Sequence, residues 1–394
     1  MKKLTRKYKK WLIIRARHEA KKPKRVRNRV RVSHLVRAWY GEEVEEVISN
    51  QLPTKPPKRI SLKENPDETM EYLDSSRNRF CSLRQSEAGK KYNWIVKSKS
   101  GKGKRRISSY VDFSDISLYG TAPALILTAE YDRLRTLMDD VPPTINLDEW
   151  QEPVFRRLYE MGFFEVVGIT DSVSDRYSTA GDVRTMKIVT GTNSTELAAA
   201  SESILELCHF LGEEQPIHDD IELALNNALS EAMINVSRHA YPSDHEFRYR
   251  HIGKWWVTAS VDRLSRELTV VIYDQGASIP LTYARKEWSQ AARDLFSGVL
   301  SMRPSFEFQN DGTYIEGAMM PGRTQTGRAH QGLGLPEMKD LVDICGSGSL
   351  RIFSRGGECY YECGESIQRR SRNLSIGGTL IEWTLYLPGS HSHA

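Results

Sequence analysis

Apolar residues recur at helical spacing between residues 220 and 239. Leu225, Leu229, Ala232, Met233 and Val236 gather on one side of that run, and Glu231, Asn235 and Arg238 on another. The pattern predicts a core-packed helix from Asp220 to His239, stopped by Pro242. Runs rich in β-branched and aromatic residues predict strands at Val183–Thr190, Lys254–Asp262, Glu267–Tyr273, Ser349–Ser354, Cys359–Cys363 and Thr379–Leu387. Ser194–Leu211, capped at Asn193 or Ser194, and Glu337–Cys345 read as further helices. Between them lies a long insertion, with a helix predicted over Leu281–Met302 and a polar loop over Pro304–Gln331. A loop of that length is usually functional or mobile. The order predicts an α/β sandwich over residues 183–389, a mixed sheet with helices on one face, and a short tail at 390–394.

The first half is less regular. Residues 107–182 read as a smaller α/β unit: Ala124–Ala129 as an apolar strand or buried turn, Glu130–Met138 as a helix, Thr144–Asp148 as a short strand, Glu149–Met161 as an amphipathic helix, and Phe164–Ile169 as a strand. Strand–helix–strand order predicts a parallel unit. Residues 46–106 are linker-like or partly helical, with three prolines between Gln51 and Lys58 and a basic Gly/Ser-rich stretch at Lys97–Arg106. Gly41–Ser49 reads as a short acidic helix.

Charge changes the picture at the N-terminus. The chain has 394 residues and a net charge of +5, yet residues 1–40 hold 16 Lys and Arg against the single acid Glu19, leaving −10 for the rest. Residues 1–45 are therefore a basic arm. Its aromatic residues Tyr8 and Trp11 sit among lysines and arginines, and Arg25, Arg27, Arg29 and Arg31 alternate with other residues as in a basic strand or extended arm. The arm fits a nucleic-acid contact, an acidic protein surface, or a solubilising tail. No apolar run is long enough to span a bilayer, and the arm lacks the apolar segment of a secretory signal. Five scattered cysteines, with only Cys359-x-x-x-Cys363 close together, argue against zinc and point to reduced thiols in a cytoplasmic setting.

Candidate chemistry lies in four stretches: Ser230-Glu-Ala-Met-Ile-Asn-Val-Ser-Arg-His-Ala240, Asp274-Gln-Gly-Ala-Ser278, Gly332-Leu-Gly-Leu335 running into a helix, and Gly377-Gly-Thr379 opening a strand. Singly each is ordinary. Glu231 and Asn235 would pass as a solvated face, Asp274 as a turn former and His239 as a cap. Their order and spacing together carry the signal.

That order resembles the ATP-binding domain of the GHKL superfamily, which includes gyrase B, MutL, histidine kinases and the anti-sigma-factor kinases. The first stretch looks most like the last of these. The resemblance implies ATP and Mg2+ as ligands, with Glu231 as the base acting on the attacking water or hydroxyl. It implies Asn235 as the Mg2+ ligand, Arg238 or His239 near the phosphates, and Asp274 as acceptor of the adenine amino group. Gly276 would let the base approach, and Thr379 would complete the pocket. Gly332, Leu333, Gly334 and Leu335 would present backbone N–H groups to phosphate at a helix start. The insertion would be the ATP lid, and lid-closing members of the superfamily often dimerise. One position departs: Ser278 stands where the family has its second glycine. The resemblance implies an ATPase whose nucleotide state switches the N-terminal region; a protein serine kinase and a non-hydrolysing nucleotide sensor are the other readings. The rhythm of residues 107–182 resembles a STAS-like domain.

Overall fold

A computed structural model describes residues 33–41, 43–82, 94–96, 105–107, 109–212, 217–283, 307–320 and 334–388. The arm through residue 32, most of Lys97–Arg106 and most of Leu281–Met302 lie outside the described residues, so the expectations placed there are not addressed. The chain is a mixed α/β protein, and none of its described sheets closes into a barrel. No described helix is long and apolar enough to cross a membrane.

The first half opens with a hairpin. Strands β1 (His34–Tyr40) and β2 (Glu43–Ser49) pair antiparallel across Gly41, whose φ is +60°. The acidic helix expected here is thus a strand. Tight reversal at Gly41 brings β2 onto β1, burying Val47 against Val36, while Arg105 neutralises Glu45 at 2.8 Å. The short strands β3 (Arg59–Ile60), β4 (Ile95–Val96), β5 (Arg106–Ile107), β6 (Leu118–Tyr119) and β7 (Thr144–Ile145) follow. Five of these seven make one sheet in the order β4-β5-β2-β1-β7.

Two further expectations fail in this half. Ala124–Ala129 is neither strand nor turn: it is the buried part of a helix, Thr121–Met138. Apolar residues all round one helix mark a helix enclosed on every side. Phe164–Ile169 is not a strand either. A short helix, Phe163–Val167, runs there between Gly162 and Gly168, both at positive φ. Strands expected at Ala124–Ala129 and Phe164–Ile169 are thus helical, and β6 and β7, which flank the Thr121–Met138 helix, lie in different sheets rather than side by side in one.

The second half holds an eight-stranded sheet of β8 (Val183–Thr185), β9 (Val189–Gly191), β10 (Trp255–Asp262), β11 (Glu267–Asp274), β12 (Gly348–Ser354), β13 (Gly357–Glu362), β14 (Gln368–Ser371) and β15 (Thr379–Tyr386). The order is β14-β13-β12-β15-β11-β10-β8, with β9 also on β10. Every pairing among these strands is antiparallel, where a mixed sheet was expected. Both faces are covered, where helices on one face were expected. The two-residue period of a strand divides the side chains between two cores. Trp255, Val257, Val270, Ile272 and Trp383 point to the layer of the helices Leu197–Cys208, Asp219–Asn235 and Gly334–Cys345. Trp256, Val271, Tyr273 and Leu380 point to the other, where the Thr121–Met138 helix packs. The first half of the chain is thus the second cover of the sheet. The polar loop expected at Pro304–Gln331 contains a helix, Asp311–Met319. Its anchor is tertiary: Asp311 is buried, accepts from Arg355 Nε at 2.8 Å and from the Gly356 N–H at 3.0 Å.

Candidate functional site

The helix expected to carry the chemistry runs from Asp219 to Asn235 and then widens into a π turn, Val236–Ala240. Such widenings are uncommon and concentrate at functional sites. Here the π turn carries Arg238 and His239 and ends at Ala240, whose carbonyl accepts from the Ala277 N–H at 2.7 Å. That bond docks the loop after β11 onto the helix end, joining two stretches far apart in sequence. Gly276 makes the approach feasible: a Cβ there would lie 2.5 Å from the Ala240 carbonyl oxygen. Gly378 does the same on the other flank, where a Cβ would lie 1.9 Å from the Asp274 carbonyl oxygen.

Between helix, sheet and loop is a cavity of about 100 Å³. Asn235, His239, Asp274, Leu335 and Thr379 line it together with apolar side chains such as Val236, Ile272, Met338 and Ile381. Five of the expected site residues therefore meet around one space. Asp274 is buried, and its Oδ1 accepts from the Gly276 N–H at 2.7 Å. Burial pushes its carboxyl up to about 7, although the Gly276 and Thr379 N–H groups favour the ionised form. Thr379 faces Asp274 across the β11–β15 ladder, and its hydroxyl pairs with Ser354 Oγ at 2.9 Å. The Asn235 Nδ2 group is buried without a hydrogen-bond partner among the described residues. A buried amide N–H that lacks a partner beside a cavity calls for an explanation.

Glu231 lies one turn before Asn235, outside the cavity lining, and is half-buried. Burial first, then the neighbouring Glu337 carboxylate, pushes its carboxyl up, and Arg238 draws it back. Arg238 is exposed and also stands outside the lining. Gly334 opens the Gly334–Cys345 helix, whereas Gly332 and Leu333 lie outside the described residues. No group of three or more His, Cys, Asp and Glu suited to a metal occurs among the described residues.

Sequence reasoning missed three contributors. Tyr241 donates to the Lys254 carbonyl at 2.5 Å and accepts from the Gln275 N–H at 3.0 Å, so it ties the loop to β10. Ser354 accepts from the Ile279 N–H at 2.8 Å. Glu337 tunes Glu231. Tyr241 had a signal in its place directly after the helix; Ser354 and Glu337 act across the fold and had none.

Ser278 adopts φ +78°, the left-handed conformation that favours glycine. Replacing it with glycine should relieve strain of about 1–2 kcal/mol, less the entropy glycine adds to the unfolded chain. Ser278→Gly is thus expected to raise stability by about 0.5 kcal/mol in urea unfolding; a loss of stability would show that the Ser278 hydroxyl, which donates to the Ala277 carbonyl, outweighs the strain.

No model of a known protein family matches this chain, and no curated protein does.

Proposed function

We propose that the chain binds Mg-ATP in the cavity between the Asp219–Ala240 segment and the sheet, and hydrolyses it with Glu231 as base, in the manner of the GHKL superfamily it resembles. The observation that carries the reading is Asp274. A buried carboxyl held by backbone N–H groups lies in the same apolar cavity as Asn235 and Thr379. A largely apolar cavity with a buried carboxylate acceptor suits an adenine ring and its amino group. Mg2+ fits the donor set. This ion is commonly held by one or two protein oxygens plus phosphates and water, and the Asn235 amide supplies such an oxygen beside an N–H group that lacks a partner. When bound it would neutralise developing charge on the phosphates. Asn235 orients the phosphates and Glu231, one turn away, draws the proton from the nucleophile. Burial raises its carboxyl, which makes the ionised form a stronger proton acceptor.

ATP titration against GTP tests the reading. Asp274 accepts from the adenine amino group, whereas guanine presents a carbonyl there, so ATP should bind more tightly. Asp274→Asn should weaken ATP binding by about 1.5–3 kcal/mol, the range for a hydrogen bond to a charged group. The ionised carboxylate is the accepting form, so protons compete with ATP. Affinity should fall as pH drops below about 7, and this part of the pH profile should flatten in Asp274→Asn. Equal affinity for ATP and GTP in the unaltered chain would defeat the assignment.

The switch that ATP binding drives would act through the first half of the chain, which covers the opposite face of the same sheet. A ligand shifts such an equilibrium only through different affinity for the two states.

A further inference from the structure

A second cavity of about 380 Å³ lies on the other side of the 274–278 loop. Consecutive strand residues face opposite ways, so Asp274 lines the first cavity while Gln275 lines the second. Its floor is a buried charge cluster. Arg77 and Arg133, 2% and 1% exposed, share the single carboxylate Glu130. Arg77 Nε donates to Glu130 at 2.7 Å and Arg133 Nε at 3.0 Å, so two guanidiniums share this carboxylate, with the Asp74 carboxylate also acting on Arg77 from the cavity wall. The Gln275 amide is oriented by its Nε2 donating to Glu130 at 3.2 Å. Its Oε1 is thereby left buried and without a partner among the described residues, in a side chain only 8% exposed.

The rim combines guanidinium groups with rings. Arg248, which donates to Asn78 Oδ1 at 3.1 Å, lies 5.1 Å over Tyr249, and Arg355, whose guanidinium is paired with Asp311, lies 5.0 Å over Phe308. Phe247 packs edge-on to His251 at 4.3 Å. His251 Nδ1 is a second buried atom lacking a partner among the described residues, and burial lowers the pKa of its imidazole. Arg250 also lines the space.

We propose that this cavity is a second ligand site that takes a small organic phosphate, with the phosphate against the arginines and a planar body against the rings. Guanidinium forks match phosphate oxygens bidentately, and flat rings stack with little entropic cost. The unpartnered Gln275 oxygen accepts from an N–H or O–H of the planar body. A volume of about 380 Å³ falls in the range of small-molecule sites. Occupancy would fix Gln275 and with it the loop that carries Asp274. The site does not depend on what the first cavity binds.

The test is isothermal titration of the full chain with phenyl phosphate, UMP and inorganic phosphate. UMP lacks the adenine amino group, so it discriminates against the first cavity. Phenyl phosphate or UMP is expected to bind saturably with Kd below about 1 mM. Inorganic phosphate should bind at least about fivefold more weakly, because it has no ring to stack. Arg248→Glu/Arg250→Glu, which spares the buried cluster, should weaken the organic phosphate at least about tenfold. Its thermal melt, not ATP binding, reports that it is folded. If it does not fold, Arg248→Ala is read in its place, with a loss of at least about threefold. No saturable binding of either organic phosphate, or binding that a folded arginine variant leaves unchanged, would overturn the proposal. Tighter binding of inorganic phosphate than of phenyl phosphate would also overturn it.

Discussion

Glu231→Ala is expected to keep ATP affinity within about twofold while phosphate release slows by at least about a hundredfold, the usual loss when a general base is removed. Glu231 stands outside the cavity lining, so removing its carboxylate takes nothing from the base or the apolar walls. Asn235→Ala should behave differently. It removes the amide in the lining and with it the Mg-dependent part of ATP binding, leaving Mg-independent affinity largely intact. Both substitutions sit at exposed or half-buried positions of one helix, so neither opens a core void. A third measurement ties the pair to geometry. Glu337 pushes the Glu231 carboxyl up, so Glu337→Gln should move the acid limb of the pH–rate profile to lower pH. The sign follows because Glu231 acts ionised, and removing a neighbouring negative charge lets it ionise at lower pH. Phosphate release at the ordinary rate in Glu231→Ala would remove it from the mechanism. Labelled protein in place of free phosphate would keep Glu231 as base and make the chain a kinase.

Glu130→Gln is expected to cost about 3–5 kcal/mol of stability, the loss when one partner of a buried ion pair is removed. Arg77 and Arg133 are almost wholly enclosed, and Glu130, 5% exposed, is the carboxylate that both reach. An amide of the same shape takes the shared counter-charge from two buried cations and leaves Asp74 as the remaining carboxylate acting on Arg77. Arg77 also donates to the Ile376 carbonyl at 2.8 Å, so the damage would reach the segment before β15. Replacing all three residues with apolar ones of similar volume should cost much less, because the charges then leave together. Urea unfolding of the three forms decides between these outcomes. The pH dependence has a definite sign. Burial alone would push the Glu130 carboxyl up, but the two guanidiniums outweigh it and the net shift is downward. A depressed carboxyl stabilises the fold above the unfolded value of about 4.3 and loses that contribution as pH falls through the folded value. The gap between Glu130→Gln and the unaltered chain should therefore narrow below about pH 4. A cost under about 1 kcal/mol at neutral pH would show that the cluster is hydrated rather than enclosed.

Much of the second half was legible in the residues because its signals are local. Near-continuous β-branched and aromatic runs make Glu267–Asp274 and Thr379–Tyr386 strands that bury both faces, and the apolar stripe of Leu225, Leu229, Ala232 and Met233 makes a helix against any flat core. The candidate residues on those elements, Asn235, Asp274 and Thr379, inherit their places from these local patterns. Tertiary structure decided what local pattern leaves open. Ala124–Ala129 is apolar enough for a strand or a helix, and enclosure between the sheet and neighbouring helices selected the helix. Glu43–Ser49 has helical composition, and pairing with β1 made it a strand. The second covered face of the large sheet, the meeting of Arg77, Glu130 and Arg133, and the left-handed Ser278 all depend on groups distant in the chain. Local propensity is worth at most about 1 kcal/mol per residue, whereas burying a large apolar side chain is worth about 1.5–3 kcal/mol. Where the two disagree, long-range burial therefore wins.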